Sequence, residues 1–356
     1  MPEEEIFTEI TQLETSVNQA ALPPQLKEKT LGKVRSLKRM AKFGSYSSEY
    51  EQIAHYVDLI TRLPWTKRSP DILDLTRAKN ILDRNHYGLT GIKERILEYL
   101  AVMKLKKENN QSDSFDNQKT LRAPILCFVG LVGTGKTTIA YSIAEAMGRK
   151  FARIPFGGMG DILYLRGQSR TYPGAEPGQV IKALKRTGTK NPVILLDEID
   201  RVAEAARASI MGVLVELLDP EQNQAFSDHF VDFPFDLSEV LFIATANNTT
   251  NISTAVIDRL EPIQMPSYTD EEKITIAKQY ILPKTMAVSG LTSNNLTIAD
   301  SVWPKIVRPL GFDAGVRTLD RTINGICRKI AKAIVEGKGK QFALTEENIK
   351  PYLPSW

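Results

Sequence analysis

Three glycines within six residues, followed at once by Lys136, Thr137 and Thr138, are the residues of this chain whose types and spacing suit chemistry most directly. The run Gly130-Leu131-Val132-Gly133-Thr134-Gly135-Lys136-Thr137 satisfies G-x-x-x-x-G-K-[ST] at every defined position. Glycines let backbone amides curl inward around phosphate oxygens, and a helix opening near Lys136 adds its positive dipole end. Lys136 is placed to neutralise β- and γ-phosphates, and the Thr137 hydroxyl to ligate Mg²⁺, with Thr134 and Thr138 in the same cradle. The chemistry this predicts is the binding of ATP with magnesium.

A second constellation is acidic. In "PVILLDEIDRV" four aliphatic residues deliver Asp197 and Glu198 to the end of a strand, where open α/β sheets bind ligands. Asp197 is suited to hold the metal through water and Glu198 to polarise an attacking water. A helix cap is the plainer role for such a pair. Asn247 ends another apolar run, "VLFIATANN", where it can bond a γ-phosphate or serve only as a turn residue. Arg259 follows in "IDRLEPI", and its fixed charge suits a finger that reaches a neighbouring subunit's phosphate. A solvated surface arginine is the alternative. Arg317 opens a later helix, from which it can report nucleotide state.

These side chains need elements to hold them. From Pro124 the runs "ILCFV", "VILLD" and "VLFIATAN" alternate with helical segments, the pattern of a parallel sheet buried on both faces. Upstream, Ile6, Ile10, Leu13 and Val17 recur at helical spacing, as do Leu31, Val34 and Leu37, with a Leu22-Pro23-Pro24 break between. That predicts a helical hairpin, either an interaction arm or a pair packed on its own domain. A third helix follows, with Ser48 and Glu51 as its capping box. Helices are predicted near 75–83 and 92–105, then a flexible polar loop over "KKENNQSDSFDNQKT". After Tyr268 the pattern is helical. The expected layout is a helical arm over 1–64, an α/β nucleotide-binding domain over 65–265 and a helical lid over 266–356.

Bulk properties narrow the class. With 42% hydrophobic and 25% charged residues, the chain is not a disordered one. A net charge of +4 without a basic, aromatic-laced stripe gives DNA binding no support. No apolar run approaches the roughly 18 residues that span a bilayer, and "MPEEEIF" is unlike a secretory signal. Cys127 and Cys327 lie in apolar patterns that fit buried thiols in a reducing compartment. A cytoplasmic protein without a membrane partner is expected.

The order of these motifs resembles the AAA+ ATPases, and the text between them resembles the ATPase module of the Lon proteases. The segments "LPW" at 63–65, "HYGLTGIKERILEYLAV" at 86–102, "RTYPGAEPG" at 170–178, "LLDPEQNQAFSDHFVD" at 217–232 and "LDRTINGICRK" at 319–329 carry the likeness. The resemblance implies a P-loop α/β core with a small all-α lid, and a ring, normally a hexamer, that unfolds damaged proteins and pulls them through a central pore. It implies Walker A roles for Lys136 and Thr137, Walker B for Asp197 and Glu198, sensor 1 for Asn247, the arginine finger for Arg259 and sensor 2 for Arg317. Tyr172 matches the aromatic residue of the pore loop. Pro173 departs from the aliphatic residue usual there, and "RVAEAARASIMG" lacks the family's Gly-Asp-Pro, which leaves a second pore loop without its signature. The family's large N-terminal substrate domain and its Ser-Lys peptidase segment have no counterpart in these residues, so peptide cleavage is not expected of this chain. A stand-alone protein-remodelling ATPase, or a nucleotide-gated scaffold or DNA-binding module, is the alternative.

Overall fold

A computed structural model describes residues 3–41, 47–109, 125–308 and 315–354. Helices α1 (Glu3–Gln19), α2 (Pro24–Ala41), α3 (Ser47–Arg62), α4 (Leu75–Asn85) and α5 (Thr90–Asn109) come first. The alternating region follows, with β1 (Ile125–Val129), α6 (Lys136–Met147), β2 (Phe151–Pro155), α7 (Leu163–Arg166), α8 (Gln179–Thr187), β3 (Val193–Asp197), α9 (Arg207–Leu218), β4 (Leu241–Ala246), α10 (Thr254–Ile257) and β5 (Leu260–Gln264). The last part holds α11 (Asp270–Ile276), α12 (Leu282–Val288), β6 (Leu296–Ile298), α13 (Trp303–Val307), α14 (Arg317–Val335) and β7 (Phe342–Leu344).

Five strands form one parallel sheet in the order β2-β3-β4-β1-β5. In β3 and β4 every residue is buried, whereas β2 alternates and β5 buries only Leu260 and Ile263. Central strands of such a sheet are covered on both faces, so their sequence is continuously apolar, while edge strands show one wet face. The register pairs Pro155 with Asp197 and Leu196 with Ala244, which sets the ends of β2, β3 and β4 level.

By contact density the chain divides into two compact units. One comprises Met1–Asp74, Val102–Cys127 and Ala144–Pro262. Its N-terminal helices pack Ile10, Val17, Val34, Leu37 and Val57 into their own apolar cluster, so the hairpin stripe is a core face. Pro24 occupies the first position of α2, where its missing N–H costs nothing. Helix α3 forms over Ser47–Arg62, and the side chain of Ser48, on which the expected capping box rests, lies outside what the structure describes. Helix α5 runs on through "KKEN" to Asn109, and the rest of the expected polar loop lies outside the described residues.

The other unit comprises Leu75–Ala101, Phe128–Ile143 and Ile263–Trp356. Trp303, Ile306, Leu319, Ile323, Ile326 and Ile330 are at the centre of its helical part. Thr269 caps α11 as a capping box, accepting from the Glu272 N–H at 3.3 Å while Glu272 accepts from the Thr269 N–H at 2.8 Å. A π-helical turn, Ala277–Ile281, joins α11 to α12. It precedes Pro283, which lacks the N–H that would continue the regular ladder. The lid also carries a feature that helical periodicity does not signal, a parallel two-stranded ladder pairing Leu296–Ile298 with Phe342–Leu344. Both cysteines are buried and free, and burial pushes the Cys327 thiol up to about 11, which keeps it un-ionised near neutrality.

Candidate nucleotide site

The glycine-rich loop lies in the second unit, where backbone crowding accounts for its composition. At Gly130 a Cβ would lie 2.7 Å from the Met265 carbonyl oxygen, and the Met265 N–H donates to Val129 O at 2.7 Å. No side chain fits between those backbones. Gly133 and Gly135 take φ of +84° and +96°, a region that favours glycine. Lys136 is buried, and its ammonium donates to Gly130 O at 2.5 Å and Leu131 O at 3.0 Å. Thr134, fully buried, donates to Leu131 O at 2.9 Å, and Thr138 to Gly135 O at 2.8 Å. Thr137 is half-buried in the first turn of α6.

Arg317 belongs to the same neighbourhood. The Val316 N–H donates to Gly133 O at 3.0 Å, and a Cβ on Gly315 would come within 2.5 Å of the Gly133 backbone. A Cβ on Gly133 would in turn lie 3.2 Å from Arg317 Cβ. The lid helix α14 therefore begins against the loop, and this unit brings together Gly130, Gly133, Thr134, Gly135, Lys136, Thr137, Thr138 and Arg317. Tyr268 adds a contact that no motif flags, its hydroxyl 3.4 Å from Thr134 O. Burial, then the Glu272 carboxylate, pushes that phenol up to about 12, so it stays protonated and able to donate.

Helix α6 is anchored from behind. His86 is buried, and its Nε2 lies 2.9 Å from the Ser142 hydroxyl on α6. The Lys93 ammonium donates to His86 O at 2.7 Å and to Asp83 at 2.8 Å. Burial, then the nearby Lys93 charge, brings the imidazole down to about 4. The folded state thus disfavours the imidazolium. Its contribution to stability is complete above the unfolded value of 6.5 and declines as pH falls toward 4. A shift of that size corresponds to about 3 kcal/mol. Urea unfolding at pH 7 and pH 4.5 should show a smaller acid loss in His86→Gln than in wild type. Equal losses would remove His86 as the cause.

The acidic constellation lies in the first unit. Asp197 ends β3, is 4% exposed, and accepts from Arg153 Nε at 2.7 Å and from the Thr245 hydroxyl. The same Thr245 oxygen accepts from the Glu198 N–H at 2.9 Å. Glu198 has a left-handed φ of +57°, a strained turn that sharply redirects the chain after β3. A Cβ on Gly157 would sit 2.8 Å from Glu198 Oε2, so glycine there makes room for the carboxylate. Arg201 lies 3.5 Å from the same carboxylate. Asn247 is half-buried directly after β4, and the neighbouring Asn248 N–H donates to Asp200 at 3.4 Å. Spacing gave no sign of Arg153 or Thr245, although their positions on β2 and β4 follow from the level register of the strand ends.

Two further expected residues stand in that unit. Arg259, just before β5, donates to Asp219 at 2.7 Å and to Ala255 O at 2.8 Å, so it is not the freely solvated arginine of the plain alternative. Tyr172 is 66% exposed at the tip of a closed loop, beside exposed Pro173 and Gly174. The loop closes where a Cβ on Gly178 would overlap Leu165 O, and the Gly178 N–H donates to buried Asp228 at 2.7 Å. Arg170 is fixed by stacking 4.0 Å over the Tyr56 ring and by Asp232 at 3.2 Å. Tyr172 is therefore a solvent-facing aromatic on a loop anchored at its base, not a core tyrosine.

The residues of the loop fit the phosphates of a nucleotide. The loop excludes side chains at Gly130, takes left-handed turns at Gly133 and Gly135, and buries a lysine whose ammonium donates to the carbonyls of Gly130 and Leu131. An anion with several oxygens satisfies such a cradle.

Comparison with known proteins agrees with this geometry. Residues 126–268 match the model of the ATPase family associated with various cellular activities (AAA), and residues 287–342 match that of the Lon protease AAA+ ATPase lid domain. The chain is 46% identical over 345 residues to a Lon protease of Lawsonia intracellularis, covering 97% of this chain and 40% of that protein. It is 44% identical over 345 residues to Lon protease 1 of Bacillus subtilis, with 97% and 43% covered. For Lon protease 2 of Thermus thermophilus the values are 43% over 350 residues, 98% and 43%. The chain thus spans about two fifths of the length of these relatives. Among the described residues no helix is long and apolar enough to cross a membrane.

Proposed function

Because the chain belongs to the AAA+ ATPases of the Lon protease family, we propose that it is the ATP-hydrolysing motor module of a ring that unfolds proteins and threads them through a central pore. The layout proposed is an arm over 1–64, a nucleotide-binding domain over 65–265 and a lid over 266–356. Gly130 to Thr138 hold the phosphates, with Lys136 as the charge on the β- and γ-oxygens. Thr137 and Asp197 hold magnesium, which when bound spreads the developing charge of the phosphates. Glu198 accepts a proton from the attacking water, Asn247 orients it, and Arg259 serves a neighbouring subunit. Arg317 couples the phosphate loop to the lid.

The observation that carries this reading is the backbone contact between Gly133 and Gly315–Val316, which makes the start of α14 sensitive to the loop. A change of loop shape on hydrolysis is felt at once by the lid. A homohexamer is the assembly proposed, with unfolded proteins as substrates. DNA is given no role, and peptide cleavage is assigned to none of these residues. The runner-up is a remodelling ATPase that releases its substrates intact.

Tyr172 supplies the test. Its exposed ring can grip any backbone by packing, which suits a motor indifferent to sequence. Unfolded casein is expected to stimulate ATP turnover of wild type, to remain intact, and to lose its stimulation in Tyr172→Ala. Stimulation that survives the substitution moves the grip away from Tyr172. No stimulation of wild type argues for a nucleotide-gated scaffold instead.

A further inference from the structure

The partner of Arg259 is a residue that no motif names. Asp219 follows α9 and uses its two carboxylate oxygens for different tasks. Oδ1 accepts from the Glu221 N–H at 2.9 Å and more weakly from Gln222 at 3.4 Å, which shapes the turn after α9. Oδ2 accepts from Arg259 at 2.7 Å. Both side chains are largely shielded, at 29% and 17% exposure, so water competes poorly for the pair. The guanidinium beside it holds the Asp219 carboxyl below its ordinary range.

A second bond, from Arg259 to Ala255 O at 2.8 Å, engages the other terminal nitrogen. Two bonds from different nitrogens fix the plane of a guanidinium, which has five N–H donors in all. The remaining donors are then presented in one orientation, with little rotamer freedom left to lose.

We propose that Asp219 is a positioning residue for Arg259, a carboxylate that holds the finger in the orientation needed by the neighbouring subunit's nucleotide. This rests on the reading of Arg259 as a finger acting between subunits. An opposite role is physically possible, because a carboxylate also offsets the charge that a finger must deliver. Geometry favours positioning: Oδ2 holds a single terminal nitrogen, while Oδ1 is engaged with the turn. The arginine is oriented without being enclosed.

Asp219→Asn is the discriminating change, since its amide oxygen can still accept from Glu221 while its nitrogen cannot accept from Arg259. In protein assembled with ATP, turnover should fall roughly 10- to 100-fold, the effect of misplacing a reacting group by about 1 Å. The double variant Asp219→Asn/Arg259→Ala should be no slower than Arg259→Ala alone, because a tether without a finger does nothing. Mixing Asp219→Asn with Glu198→Gln subunits should raise turnover above either alone, as should mixing Arg259→Ala with Glu198→Gln. Should Asp219→Asn fold poorly by thermal denaturation, Asp219→Ser keeps a turn acceptor and replaces it.

The results separate the two ideas. Loss of turnover in Arg259→Ala with wild-type or faster turnover in Asp219→Asn overturns the positioning role and leaves the finger standing. Additive losses in the double variant also overturn it, because Asp219 would then act apart from Arg259. Wild-type turnover in Arg259→Ala overturns both.

Discussion

Lys136→Ala should lower ATP affinity by at least about 100-fold, read by calorimetry, while thermal stability changes little. Charge-assisted hydrogen bonds contribute about 1.5–3 kcal/mol each, and on the proposed reading this lysine serves more than one phosphate oxygen. The side chain has a second task in the fold, since it donates to Gly130 O and Leu131 O. Alanine therefore removes both the charge for the ligand and a brace within the loop. Lys136→Met separates the loss of charge and donors from the loss of side-chain volume, because it keeps most of the stem. If both variants lose affinity alike while staying folded, lost charge and donors are responsible and not an open cavity. Wild-type affinity in Lys136→Ala would end the assignment of this loop to phosphates.

The loop itself was legible in the sequence because phosphate cradles constrain backbone more than side chain. Gly130, Gly133 and Gly135 are fixed by crowding and by positive φ, and such constraints leave a pattern at fixed spacing. Central strands β1, β3 and β4 were legible for a related reason, as burial on both faces leaves continuous apolar runs. Edge strands β2 and β5 leave no such run. "FARIP" and "LEPIQ" contain proline, are only partly buried, and are too short for periodicity to separate from loop. The ladder of β6 and β7 leaves no sequence signal because each strand has three residues.

Partnerships between side chains were the least legible part. Arg153 and Thr245 meet Asp197 only because parallel register sets the ends of three neighbouring strands level. Asp219 meets Arg259 across forty positions of chain, and nothing local marks either as half of a pair. His86 stands in a segment that carried the family likeness, yet its contact with Ser142 depends on how α4 and α6 pack. Sequence spacing reports what one element must do by itself. Contacts between elements need the fold.

Glu198→Gln should retain ATP binding and reduce hydrolysis by at least about 100-fold, in the range general-base catalysis contributes. Glutamine matches the size of glutamate, so the strained turn at φ +57° and the Glu198 N–H bond to Thr245 are kept. What disappears is the carboxylate, the only one of the two side chains able to take a proton from water near neutral pH. Gly157→Ala provides an independent approach to the same group. Its new methyl would begin 2.8 Å from Glu198 Oε2, too close for any real contact, so the carboxylate must swing aside. That variant should bind ATP normally and hydrolyse it slowly, although every titratable group is still present. Rapid-quench measurement of a single turnover distinguishes slow chemistry from slow product release. Wild-type single-turnover rates in Glu198→Gln would remove Glu198 as the base, and would turn attention to another acceptor beside the end of β3.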